Sequence, residues 1–310
     1  MKQEPFINPY IAIFIGVLSV STSAILVKLS SAPAPVIAGY RLLFTTLLML
    51  PVMVIYFRND FKRLTRRDLL YCLFSGIFLA VHFILWFESL NYTSVASSVV
   101  LVALQPIFAF VGTYIFFKEK LSLKALLGGL LAISGSVLIS WGDFKISGMA
   151  LFGDLLALLG AVAVTVYYLF GQTLRKHLHL MTYTFLVYGM ATCTLFIYCL
   201  SLDYDLAPYP QMDWIYFLLL AIFPTLLGHS IFNWALKHVS TTVISMSILG
   251  EPIGASILAY FLLGESVRLE QFIGGMIILF GIYMFLRRPK YKASRKASSK
   301  DPVKEVRENV

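Results

Sequence analysis

Long apolar stretches separated by short polar segments occupy almost the whole chain. They fall at residues 9–27, 34–57, 69–90, 94–117, 123–141, 148–170, 180–200, 214–236, 240–263 and 269–286. Crossing about 30 Å of hydrocarbon takes ~20 helical residues rising 1.5 Å each. Each stretch approaches that length, and none shows the short alternating segments of a β-barrel. The pattern predicts an all-α integral membrane protein with ten transmembrane helices. The first stretch, with SSAPA behind it, can also be read as a signal peptide and its cleavage site. A single lysine precedes it, however, and the repeat described below requires it as a span.

Composition agrees with that pattern. Of 310 residues, 59% are hydrophobic and 13% charged, against about 25% charged in soluble domains. The net charge of +9 hints at nucleic acid, but the Lys and Arg residues sit in loops and the tail, not along one face. No nucleic-acid partner is expected. The charges orient the chain instead, because cytoplasmic loops carry the excess of Lys and Arg. With the N-terminus inside, inner segments hold all 25 Lys and Arg residues except Lys28, Lys145 and Arg268 outside and Arg41 within a span. Both termini are therefore expected in the cytoplasm, with the chain multi-pass in the cell membrane. The longest outer loop, around Asp203, Asp205 and Asp213, is acidic. The tail, 289–310, is polar without apolar period and is expected to be disordered, serving as a topology anchor or lying on anionic headgroups. Cys72, Cys193 and Cys199 give neither a disulfide framework nor a metal spacing.

An internal repeat emerges on sliding the chain by 146 residues. Residues 90–137 then align without a gap on 236–283. Ser94 meets Ser240, Pro106 meets Pro252, Tyr114 meets Tyr260, and Glu119 meets Glu265. Gly128, Gly129 and Gly135 meet Gly274, Gly275 and Gly281. The halves are 8–142 and 148–288, five helices each. Five is odd, so the second half starts on the opposite side of the bilayer. The expected architecture is a pair of inverted repeats about an axis in the membrane plane, which many secondary transporters use for alternating access.

Two five-helix halves, an Arg in the second span (GYRLLF), prolines in the fourth and ninth spans, and the closing turn LLGESVRLEQFIGG resemble the EamA-type transporters of the drug/metabolite transporter superfamily. The resemblance covers 8–288. It implies a ten-helix carrier with both termini inside, commonly exporting amino acids or other small metabolites. It also implies a cavity lined by spans 1, 3, 4, 6, 8 and 9, with a homodimer through spans 5 and 10 in some relatives. The first span departs from the small multidrug-resistance relatives in holding no acidic residue, which sets proton-coupled export of cationic drugs by that route in doubt.

Intramembrane ionisable residues are costly and default to function. Glu251 lies mid-span in SILGEPIGA and is a candidate for proton coupling or for binding a substrate amine; the alternative is a hydrogen-bonded structural carboxyl. Its repeat partner is the uncharged Gln105, in VALQPIFA. Pro106 and Pro252 follow these two directly and are expected to kink or break both helices at the binding level, with packing kinks alone as the alternative. Arg41 has the apolar Val187 as its 146-shifted counterpart, so it breaks the symmetry. It is a candidate for substrate binding or gating, or for snorkelling and internal pairing. Ser75, His82, Trp86 and Ser89 share a face of the third span, and Thr225, His229 and Asn233 a face of the eighth. Ser19, Thr22 and Ser23 mark the first span, and Thr165, Tyr168 and Gln172 the sixth. Such stripes either line a cavity or bind helices together. Asp154 and Glu88 read as interfacial and Glu119 and Glu265 as caps. Gly128, Gly129, Gly274 and Gly275 read as packing or dimer surfaces.

No GK[ST] phosphate loop is present, and His82 and His229 form no metal or triad pattern. The expected function is a secondary transporter exporting small metabolites such as amino acids, with no catalysis, cofactor or metal. Arg41 with Glu251 complements a zwitterion, and Trp86, Tyr167 and Tyr168 accept an apolar side chain. Drugs or nucleotide-sugar-like solutes, an integral-membrane enzyme, or a non-transporting receptor are the alternatives.

Overall fold

In the computed structural model, which describes residues 7–93, 95–140, 148–263 and 269–286, every described element is helical. The first span is α1 (Pro9–Val20) plus α2 (Ser23–Leu29). Next, α3 (Ala34–Val52) runs through a π segment (Met53–Phe57) into 3-10 turns (Arg58–Arg63), and α4 (Arg66–Ser89) is continuous. The fourth span divides into α5 (Val95–Val102) and α6 (Gln105–Phe117), followed by α7 (Leu123–Ser140), α8 (Gly148–Leu174) and α9 (Leu180–Ser201). The eighth is α10 (Gln211–Leu220), a π segment (Ala221–His229) and α11 (Ser230–Ala235). The ninth divides into α12 (Thr241–Ile248) and α13 (Glu251–Leu263), and α14 (Leu269–Leu286) is last. The turn holding Glu265, the loop at Lys145 and the tail 289–310 lie outside the described residues.

Eight helical segments are long and apolar enough to cross a membrane, while α7 and α14 carry the shorter apolar stretches Leu123–Leu138 and Phe272–Leu286. Their outward faces are apolar: Ile11, Phe14 and Leu18 on α1, and Phe272, Met276 and Phe280 on α14, are all exposed. Polar groups face inward, where Arg41, Ser75, His82, Thr225 and Asn233 are buried. A soluble protein has the reverse arrangement. Lipid in place of water outside accounts for it, because in hydrocarbon a polar side chain must find its partners among other helices.

Of the two outcomes expected at the prolines, a kink or a break, both sites show the break. Residues 103–104 and 249–250 form turns, and α6 and α13 restart at Gln105 and Glu251. Pro106 and Pro252 thus occupy the second helical position, where a missing N–H costs nothing because a helix start leaves it unpaired. Two helix N-termini thereby open inside the bundle. In the eighth span, Pro224 cannot donate to the carbonyl four residues back, that of Leu220. Thr225 Oγ1 donates to it instead at 2.8 Å, and Ser230 Oγ donates to Thr225 O at 3.2 Å. These i−5 contacts widen the turn into the π segment. In the first span, Ser21 Oγ donates to Val17 O at 2.9 Å and to Glu251 O at 3.2 Å. This joins the α1–α2 break to the start of α13.

Packing pairs α4 with α8 and with α9, α3 with α9, α1 with the 221–229 segment, and α7 most extensively with α14. The last contact needs glycine. A Cβ on Gly128 would lie 2.8 Å from Gly281 O, and one on Gly135 2.6 Å from Gly274 O. Four glycines of the repeat, Gly128, Gly135, Gly274 and Gly281, are therefore used inside the chain, holding α7 and α14 together.

Candidate functional site

Arg41 on α3 is fully buried. Its Nε donates to Thr225 Oγ1 at 2.7 Å and its Nη1 to Ser23 Oγ at 3.0 Å. The guanidinium lies 4.3 Å from the centroid of the Phe83 ring, within cation–π range. Its Nη2 has no partner. Ion pairs within 4.0 Å among the described residues are limited to His177 with Asp68, so no carboxylate touches Arg41. A buried cation held by neutral groups alone is costly. Arg41 lines a small cavity.

The same cavity is lined by Glu251, Gln105, His82, Trp86, Tyr168 and His229. Glu251 and Gln105 are the first residues of α13 and α6, so the two helix breaks deliver the 146-related pair to one space. The Glu251 carboxylate makes no side-chain hydrogen bond among the described residues and sits in the favourable field of its own helix N-terminus. Gln105 Oε1 and Trp86 Nε1 are buried and unpartnered. His82 Nδ1 lies 3.0 Å from Gly160 O. A carbonyl only accepts, so Nδ1 carries the hydrogen and the neutral ring has an acceptor at Nε2. Tyr168 OH lies 3.2 Å from His229 Nδ1. Val20, Val102, Val164, Phe232 and Ile248 complete an apolar wall. The free space among these groups is about 20 Å³, room for one water molecule.

Seven of the eight residues singled out for this site thus line one cavity; Asn233 does not. Its Nδ2 donates to Tyr167 OH and to Tyr188 OH, the latter at 3.3 Å. Tyr188 OH lies 3.2 Å from Ser230 Oγ, and Ser75 Oγ lies 3.0 Å from Tyr183 OH. Asn233 is a clamp among buried tyrosines, not a cavity group. Asn233→Ala is expected to lower thermal stability by about 1–3 kcal/mol, the cost of buried phenols losing a donor, with substrate selectivity unchanged. A thermal-unfolding series run beside competition transport checks it; altered selectivity would return Asn233 to the site. Tyr167 belongs to this cluster too.

Sequence reading also missed Arg175, taken as a loop cation. It is buried, donating from Nε to Asn233 O at 3.0 Å and from Nη1 to Leu178 O. Arg175 lies in the turn after α8, where burial lowers its pKa to about 10. Phe83, packed under Arg41, carried no signal distinguishing it from other apolar residues. Asp154, read as interfacial, accepts from Thr93 Oγ1 and Ser97 Oγ, each at 2.8 Å, tying α8 to the start of α5. No group of three or more metal-ligating side chains occurs among the described residues.

The family model described as the EamA-like transporter family matches the chain twice, over residues 7–141 and 151–287. Among curated proteins, the uncharacterized transporter YetK of Bacillus subtilis is 25% identical over 291 residues, covering 91% of this chain and 87% of that protein. The uncharacterized transporter YxxF of the same organism is 26% identical over 245 residues, 77% of each. A solved crystal structure superposes with a TM-score of 0.73 at 15% identity, over 91% of this chain and 99% of that one. At that identity it supports the fold alone.

Proposed function

Because the chain belongs to the EamA-like transporter family, we propose that it is a secondary transporter exporting small zwitterionic metabolites, such as amino acids, across the cell membrane by alternating access. The carrying observation is the central cavity. Arg41 Nη2, Trp86 Nε1 and Gln105 Oε1 are buried without partners, and these three residues line the cavity together with Glu251. Unsatisfied donors and acceptors in one buried space call for a ligand that brings both, and a zwitterion does. The carboxylate of the substrate goes to Arg41 and Trp86, its ammonium to Glu251 and Gln105.

The proposed frame is ten spans with both termini cytoplasmic, in two inverted halves. The helix pairing supports it. Third span against sixth (α4 with α8) and first against eighth (α1 with residues 221–229) exchange when the halves are swapped, while α3–α9 and α7–α14 map onto themselves. An amino acid is several times larger than the present free space, so transport requires an end of the bundle to open. In the working cycle Glu251 exchanges a proton for the substrate ammonium, coupling export to the proton gradient.

Efflux from proteoliposomes loaded with a labelled amino-acid and metabolite panel, with and without a pH gradient, tests this for wild type and Glu251→Gln. Wild-type efflux that responds to the gradient, with the response lost in the variant, is expected. An unchanged response in Glu251→Gln removes proton coupling through this carboxylate. Absence of flux across the whole panel would refute the zwitterion reading.

A further inference from the structure

A second concavity opens at the basic end of the bundle, the end carrying residues 58–67, 118–124 and 175–179. Open to solvent, it offers about 290 Å³ of free space. Lys176, Lys237 and His238 line it with Gln172, Ser240 and Glu119. Glu119 accepts from Ser240 Oγ at 2.9 Å. Lys176 Nζ lies 4.9 Å from the Phe117 ring centroid and Lys237 is exposed, and neither has a carboxylate within 4.0 Å among the described residues. Two free ammonium groups in a walled groove face a single carboxylate, so the local field is positive. His238 registers the field: burial first, then the neighbouring Lys237 and Arg175 cations, hold its imidazole below its ordinary pKa.

Two helices connect this groove to the central site. Gln172 lines the groove and Tyr168, four residues earlier on α8, lines the cavity; Val243 and Ile248 do the same on α12. At 1.5 Å per residue the two spaces are about 6–8 Å apart. Between them lies a thin polar partition. Thr241 N donates to Gln172 Oε1 at 2.6 Å, Thr241 Oγ1 to Tyr168 O at 3.2 Å, and Thr113 Oγ1 lies 2.8 Å from Thr242 Oγ1. These contacts bolt the eight-residue α12 to α6 and α8, and their release would join groove to cavity.

We propose that this groove is an antechamber that captures the carboxylate of a soluble substrate on Lys176 and Lys237 before it passes behind α12 to Arg41. The proposal rests on the transporter reading for the passage, but the groove's preference for anions is testable without it. Val239, which lines the groove, is replaced by cysteine in a Cys193→Ser background, since Cys72 and Cys199 are buried. The full-length protein in vesicles is labelled with a sulfonate-bearing and a trimethylammonium-bearing methanethiosulfonate. Relative to a free thiol, the anionic reagent is expected to gain about 10-fold. The gain should disappear in Lys176→Gln/Lys237→Gln and shrink in high salt, which screens exposed charge. No gain, or a gain that survives the double variant, overturns the proposal. Labelling is repeated with sodium acetate, with inorganic phosphate, and in phosphatidylserine vesicles. Slowing by acetate supports a carboxylate site; slowing by phosphate alone or by the lipid alone overturns that assignment. For any panel solute the wild type moves, the double variant should raise KM from the groove side several-fold with kcat unchanged, and an unchanged KM overturns the capture role. If the wild type moves nothing, the transporter reading fails, while the labelling ratio still decides the anion preference.

Discussion

Arg41→Lys is expected to lower kcat/KM for transport by roughly 10- to 150-fold, the worth of a hydrogen bond to a charged group at about 1.5–3 kcal/mol. The guanidinium donates to Thr225 on the 221–229 segment and to Ser23 on α2, leaving Nη2 without a partner in a residue that lines the cavity. An ammonium has no planar fork and reaches fewer of these groups at once. Arg41→Met goes further: flux disappears, while thermal stability holds or rises, because the variant removes a buried cation that no carboxylate touches. Loss of activity without loss of stability marks a residue retained for function. The measurement is paired flux and thermal unfolding. If both fall together in Arg41→Met, the arginine is structural and the zwitterion reading loses its anion site.

A large effect on stability is expected at the α7–α14 contact. A Cβ on Gly281 would sit 2.5 Å from Ala132 N, 2.6 Å from Gly128 O and 2.8 Å from Ala132 Cβ. Two of these are backbone atoms, which cannot swing aside, so the helices must separate. Gly281→Ala should cost about 1–3 kcal/mol, the range for overpacking. Gly189, inside α9, is the control. Its nearest neighbour to a new Cβ is Thr46 Cγ2 at 3.9 Å, an ordinary contact, and alanine there gains helix propensity worth up to about 1 kcal/mol. Opposite shifts in thermal unfolding in detergent are expected. A Gly281→Ala protein as stable as wild type would show that these helices do not pack this closely.

Asn233 shows where helical periodicity stops being a guide. It lies four residues after His229, a spacing that shares a face in a regular α-helix. The residues that follow His229, Ser230–Ala235, are regular α-helix, so the face is kept. One turn further along it, however, the neighbours are the Tyr167 and Tyr188 hydroxyls, and Asn233 bonds those while His229 lines the cavity. What a proline produces, a kink, a clean break as at Pro106, or a widened turn as at Pro224, depends on which neighbouring hydroxyls reach the freed carbonyl. Arg175 misled for a related reason. Charge counting places a cation at one end of the membrane, but whether it points to water or beneath a helix end is decided by the carbonyls of Asn233 and Leu178.

The sequence by itself determined the helices and their number of apolar stretches, because lipid demands long runs of apolar residues. It also determined the 146-residue correspondence that makes Gln105 and Glu251 equivalents, and the short roll of polar groups available to any site. Only the tertiary structure decided that Arg41, Glu251, Gln105, Trp86 and the two histidines face one space. It alone revealed that four of the repeat glycines serve an internal helix pair and that Asn233 is a clamp. Periodicity specifies which residues share a face of one helix. Which face meets which helix follows from packing among distant segments, where a missing Cβ at Gly281 or an unpartnered Nη2 on Arg41 has meaning only through its neighbours.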